Sequence, residues 1–111
     1  MHTNVLSSNG SLWIEPDGRV DLRQRLHIKG ANWAGFQSDG CPHALWSYGG
    51  KTYSVKDYVD FLELHRFNAV RLPLSAPLVN ENSFVGVSCG AAYHGMQTLD
   101  VLDDVLVSIG C

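Results

Sequence analysis

Residues 67–75 read Phe67-Asn68-Ala69-Val70-Arg71-Leu72-Pro73-Leu74-Ser75, and this short, nearly continuous apolar run organises the chain around it. Asn68 to Leu74 is too short for a buried helix and is stopped by Pro73, so it reads as a strand covered on both faces. Upstream, Ser54 opens a helix. Its hydroxyl can accept from free backbone N–H groups, Asp57 three positions on completes an approximate capping box, and Val55, Tyr58, Val59 and Leu62 fall on one face. Further back, Leu26 to Trp33 carries Leu26, Ile28, Ala31 and Trp33 without helical spacing and is broken by Gly30, which reads as another strand. Strand, helix, strand at this spacing predicts a right-handed βαβ unit.

Outward from that unit, Ser11 to Glu15 alternates, Pro16-Asp17-Gly18 is turn chemistry, and Arg19 to Leu22 is expected to return as the second strand of a hairpin. Gly35 to Tyr53 and Ser75 to Gln97 read as two long loops, the first holding Phe36, Trp46, Tyr48 and Tyr53. Thr98 is expected to cap a second helix with Asp100 in its first turn and a stripe of Leu99, Leu102, Leu106 and Ile109, ended by Gly110. The alternating order then predicts a further strand beyond Cys111, because two parallel strands cannot cover their own faces.

The chain has 111 residues, 45% of them hydrophobic, which suits a packed domain. Eight basic and eleven acidic residues give a net charge of −3 with no basic stripe, so nucleic acid is not an expected partner. No apolar run is long enough to span a membrane, and the polar Met1 to Gly10 stretch has no signal-peptide pattern. Cys41, Cys89 and Cys111 are odd in number and widely spaced, fitting neither a metal knuckle nor a closed disulfide set, so the redox compartment stays open. A metal site from Cys41, His43, Cys89 and His94 is disfavoured because Cys41-Pro42-His43 is too tight for the usual ligand gap, and Cys89 with His94 has no fixed geometry for nucleophilic catalysis. The stretch Gly86 to Gly95 lacks the Lys-Ser/Thr ending of a phosphate-binding loop. Neither metal nor cofactor is expected.

Three stretches carry a family resemblance. Gly30-Ala31-Asn32-Trp33-Ala34-Gly35-Phe36 resembles the G-x-N-W-x-G-F opening of glycoside hydrolase family 5 cellulases, His43-Ala44-Leu45-Trp46 resembles their H-G-L-W, and Phe67 to Ser75 resembles their second strand, F-N-x-[IV]-R-L-P-[FY]-S. The similarity runs roughly from Arg19 to Gly110, with Arg66 and Ala44 standing where the family usually has glycine. The resemblance implies an α/β fold: the incomplete N-terminal portion of a TIM (β/α)8 barrel, with a bottom hairpin followed by strand, helix, strand and helix. Residues 1–18 would be an N-terminal tail and first hairpin strand, and residues 19–111 a partial catalytic domain.

The function so implied is hydrolysis of O-glycosidic bonds in a β-linked, cellulose-like polysaccharide by a retaining double displacement, which requires two carboxyl groups about 5–5.5 Å apart. In the family those glutamates follow the fourth and seventh strands, so neither is expected in this chain, which alone should be inactive. Glu15, Asp17, Asp21, Glu63, Asp100, Asp103 and Asp104 fall on the hairpin and helices, leaving Asp39 and Glu81 as loop acids on the catalytic side. Arg71 is the catalytic-side candidate: an arginine inside an apolar run needs acceptors, and the resemblance implies that it supports the nucleophilic glutamate. Trp33, His43 and Trp46 are the substrate-side candidates, since flat rings stack on sugar faces. The family implies a β-glycan partner and secretion. The rival reading is a non-catalytic, carbohydrate-contacting remnant using Trp33, Trp46 and Tyr48.

Overall fold

A tight turn sets the first element. Asn9 and Gly10 both adopt positive φ, 51° and 74°, the signature of the two-residue turn whose twist matches a β-hairpin. They join β1 (Thr3–Ser8) to β2 (Ser11–Pro16), which pair antiparallel from Ser8 opposite Ser11 to Thr3 opposite Pro16. A computed structural model of the chain describes residues 3–42, 47–48 and 51–110. The expected hairpin is therefore displaced. Asp17 and Gly18 do turn, with φ of 53° and 70°, but Val20–Leu22 forms a 3-10 turn and the returning strand is β3 (Gln24–Arg25). Glu15 on β2 is only 5% exposed, and both Nε and Nη2 of Arg23 donate to its Oε2, at 3.2 and 3.0 Å. This pairing stops the buried carboxylate from standing alone.

The strand–helix–strand signal narrows to β4 (Gly30–Asn32), the two-residue antiparallel pair β5 (Ser47–Tyr48) and β6 (Lys51–Thr52), α1 (Val55–Leu64) and β7 (Ala69–Arg71). β4 and β7 pair in parallel, Gly30 opposite Ala69, Ala31 opposite Val70 and Asn32 opposite Arg71. Asn68 fixes that register just ahead of β7. Its N–H donates to the Lys29 carbonyl at 3.0 Å, its Oδ1 accepts from the Lys29 N–H at 2.8 Å, and its Nδ2 donates to the His27 carbonyl at 2.7 Å.

Helix α1 begins with the full capping box, Ser54 Oγ accepting from the Asp57 N–H while Asp57 accepts from the Ser54 N–H. Val55 and Val59 are buried, with Tyr58 and Leu62 half-buried beside them. The helix ends in a Schellman arrangement. The Phe67 N–H donates to the Leu62 carbonyl and the Arg66 N–H to the Glu63 carbonyl, which requires Arg66 to take φ 60°. Glycine adopts that conformation without strain, so Arg66→Gly is expected to stabilise the chain by about 1 kcal/mol, read as a raised midpoint in urea with an unchanged slope.

What reads as one loop from Ser75 to Gln97 contains a third helix. α2 (Ala76–Glu81) ends at Asn82 in a left-handed conformation, φ 47°, and two 3-10 turns follow at Val87–Cys89 and Ala91–Tyr93. α3 (Thr98–Ser108) is capped from a distance: the Asn82 Oδ1 accepts from the Leu99 N–H at 2.9 Å. Thr98 is not the cap. It is the first helical residue, 3% exposed, and its hydroxyl donates to the Ser83 carbonyl. The predicted stripe is only partly the buried face: Leu102 and Ile109 pack against the core, but Val101 and Val105 are the fully buried residues and Leu99 is 36% exposed.

These elements enclose one core of Phe36, Cys41, Val55, Val59, Cys89, Tyr93, Val101 and Val105. Cys41 and Cys89 are joined by a disulfide across 48 residues, a pairing that the odd number and wide spacing of the cysteines left open. Next to it Gly40, at φ 74°, lies so close to Thr98 that a Cβ would stand 2.5 Å from the threonine hydroxyl. Tyr93, 5% exposed, donates its phenol to Asp104 Oδ2 at 2.6 Å. Burial first and the Asp104 contact second push the Tyr93 phenol well above its ordinary value of 10.0. Above that value an unfolded chain loses the proton while the folded chain keeps it, so stability is complete below about pH 10 and falls as pH rises further. Tyr93→Phe should flatten that alkaline decline, measured by urea midpoints between pH 8 and 11.

The expected barrel portion is not what the chain forms. β1, β2 and β3 make a separate antiparallel sheet, and parallel pairing among the described residues is confined to β4 and β7 over three residues each. A strand–helix–strand signal specifies one parallel crossover; it does not specify closure, and the Asn9-Gly10 turn commits the N-terminal residues to their own sheet. With a radius of gyration of 16.5 Å the chain is more extended than the roughly 13 Å expected of a domain this size.

Candidate functional site

The end of the parallel pair gathers the polar and aromatic residues of interest. Asn32 and Arg71 are register partners, and both side chains are exposed. Arg71 Nη1 donates to Asn32 Oδ1 at 2.9 Å, and the Trp33 N–H donates to the Arg71 carbonyl at 2.9 Å, extending the ladder by one bond. The pair therefore sits at the carboxyl ends of two parallel strands, where open α/β sheets place ligands.

Strand alternation sends Asn32 and Arg71 to one face and Ala31, Trp33 and Val70 to the other. On that second face the Trp33 ring packs on Tyr58 of α1, centroids 5.2 Å apart and tilted by 50°, and Tyr58 meets Tyr53 at 6.1 Å. Phe61, Leu62 and Val70 complete an apolar groove of about 370 Å³ beside this row. Burial, with smaller contributions from Tyr53 and Asp57, raises the Tyr58 phenol above its usual value and keeps it neutral. Trp33 and Arg71 are thus neighbours along the backbone, with their side chains on opposite sides of the sheet. His43 and Trp46 lie outside the described residues.

The burial argument for Arg71 does not hold. Its side chain is exposed rather than enclosed, its hydrogen-bond partner is the neutral Asn32, and no carboxylate among the described residues is within ion-pair reach. The strand it occupies is three residues long and its neighbour on that face is Gly30 to Asn32, so the apolar context of the sequence does not become a buried one. Glu81 is the last residue of α2 rather than a loop acid, and Asp104 is engaged by Tyr93. Asn32 is the site residue that sequence reasoning passed over. Its signal was its position one residue before Trp33, at the end of the first parallel strand.

Among the described residues no cluster of three His, Cys, Asp or Glu side chains could hold a metal ion. None of the described helices is long and apolar enough to cross a membrane. No family model matches the chain, and no curated protein is significantly similar to it.

Proposed function

We propose that this chain is a carbohydrate-contacting segment of a β-glycan-cleaving glycoside hydrolase of the family 5 cellulase type, in which Arg71 and Asn32 form a polar pair beside the sugar. The observation that carries the reading is the 2.9 Å hydrogen bond between these two side chains on the exposed end of the parallel strands. Arg71 keeps further donors in its planar fork free for a sugar hydroxyl or for a carboxylate supplied by residues other than those described. Asn32 holds the guanidinium in place, and its own amide N–H group remains a donor. The motif residues Gly30 to Phe36 and Phe67 to Ser75 support the family-level part of the proposal.

A retaining hydrolysis needs an attacking carboxylate and a second carboxyl group to protonate the leaving oxygen. No such pair faces Arg71 among the described residues, so the 111-residue chain is expected to bind a soluble β-1,4-linked gluco-oligosaccharide weakly and not to cleave it. Titration calorimetry with the oligosaccharide tests this. Arg71→Ala should weaken binding by about 1 kcal/mol, roughly fivefold, as expected when one charge-assisted hydrogen bond in an exposed site is removed. Equal affinity in Arg71→Ala and the parent chain would remove Arg71 from the site. A non-catalytic sugar contact is the second reading, favoured by the neutral partner of Arg71.

A further inference from the structure

The turn between β1 and β2 carries a chemistry that the sugar-contacting reading does not use. Residues 9–11 read Asn9-Gly10-Ser11, an N-x-Ser acceptor sequence with no proline in the middle. No other asparagine of the chain is followed by serine or threonine two residues on. The structure puts this one at the tip of the hairpin. Asn9 and Gly10 are the two turn residues, both exposed, and the strand pairing closes immediately behind them with Ser8 opposite Ser11. Trp13 reaches back over the turn, its indole N–H donating to the Ser8 carbonyl, and Asn9 itself is exposed.

A second observation, independent of the turn, concerns the compartment. Cys41 and Cys89 are each 1% exposed and joined as a disulfide in the centre of the core. The oxidising compartments in which a buried structural disulfide forms and persists include the endoplasmic reticulum lumen, where asparagine glycosylation takes place. A chain that forms this bridge there meets the enzyme that reads N-x-Ser sequences.

We infer that Asn9 is an N-glycosylation site. The donor is an oligosaccharide linked through a diphosphate to a polyprenyl lipid. The Asn9 Nδ2 attacks the anomeric carbon of the first sugar, a C–N bond forms, the C–O bond to the diphosphate breaks, the amide gives up one proton, and the lipid diphosphate leaves. The +2 hydroxyl of Ser11 is the recognition element. Transfer precedes folding, when Gly10 leaves the segment free to bend into the transferase. In the folded chain a glycan at the tip overhangs the outer strand β1, whose unpaired edge and 60%-exposed Val5 would otherwise offer a template for strand addition. This inference does not depend on the sugar-contacting reading of Arg71.

The test is translation of the full chain behind a cleavable secretion leader in the presence of eukaryotic microsomes. The product is then treated with peptide-N-glycosidase and its peptides are mapped by mass. The expected result is one glycan, lost on treatment, with the amide of residue 9 converted to an acid. Ser11→Ala, which leaves the Asn-Gly turn intact, and Asn9→Gln should each abolish the modification, whereas Ser11→Thr should keep it. Acceptor use is read on the translocated chain before folding, so a variant that fails to fold still reports. An imported product unmodified at Asn9, or a glycan that persists in Ser11→Ala, overturns the inference.

Discussion

Reduction of the Cys41–Cys89 disulfide is expected to lower stability by about 4 kcal/mol, the loop-closure entropy that a cross-link over 48 residues removes from the unfolded chain. Domains of this size are typically stable by only about 5–15 kcal/mol in total, so such a loss takes about a quarter of the margin or more. The bridge also joins two segments with little regular structure of their own: the turns that follow Trp33, and the two 3-10 turns before α3. Both contribute core residues, Phe36 from the first and Tyr93 from the second, so losing the bridge also loosens the packing. Urea unfolding with and without a phosphine reductant measures the effect. A midpoint unchanged by complete reduction would show that packing alone holds the two segments together.

Phe36→Ala is expected to be comparably damaging, by about 3–5 kcal/mol. Phe36 is 1% exposed and is the largest of the fully buried side chains. It lies in the core with Val55 and Val59 of α1 and Val101 and Val105 of α3. Truncation to alanine leaves a cavity that neither helix can close by sliding, because α1 is fixed by its capping box and Schellman end and α3 by the Asn82 contact. The variant should lose its cooperative thermal transition or unfold at a far lower temperature, followed by near-ultraviolet circular dichroism. A loss below about 1 kcal/mol would mean that the site collapses around the smaller side chain.

Local signals in the sequence translated well where one residue decides one backbone group. Ser54 and Asp57 give the capping box, Val55 and Val59 give the buried face of α1, and Asn68 to Leu74 contains the second parallel strand. Signals failed where a residue 17 to 48 positions away decides. The cap of α3 comes from Asn82, which no local pattern at Thr98 reveals, and that contact together with Thr98 burial turns Val101 and Val105 inward in place of Leu99 and Leu106. The disulfide was hidden because three cysteines permit several pairings and only spatial proximity selects one. The N-terminal hairpin was legible and overlooked, as Asn-Gly between two short alternating runs is the strongest short-range hairpin signal. The barrel reading failed for another reason. It took the incomplete N-terminal portion of a barrel from motif resemblance, whereas the described strands divide between an antiparallel sheet and short pairs.

At the candidate site, the sequence singled out Arg71 and Trp33 as expectations but not which way they point. Period-two alternation alone separates them: Trp33 and Arg71 are joined through the backbone, and their side chains leave opposite faces. Trp33 accordingly serves first as packing against Tyr58, and the accessible polar chemistry belongs to Arg71 and Asn32.

The central claim is that this Arg71–Asn32 pair contacts a β-glycan, and the most direct test is chemical-shift mapping of the isotope-labelled chain during titration with a soluble β-1,4-linked gluco-oligosaccharide. The Arg71 guanidinium and Asn32 side-chain amide resonances should shift together and saturably, and Arg71→Ala should move the midpoint of the Asn32 response to roughly fivefold higher sugar while leaving the core resonances of Val101 and Val105 in place. Shifts confined to other residues, or none at either side chain at saturating sugar, would contradict it.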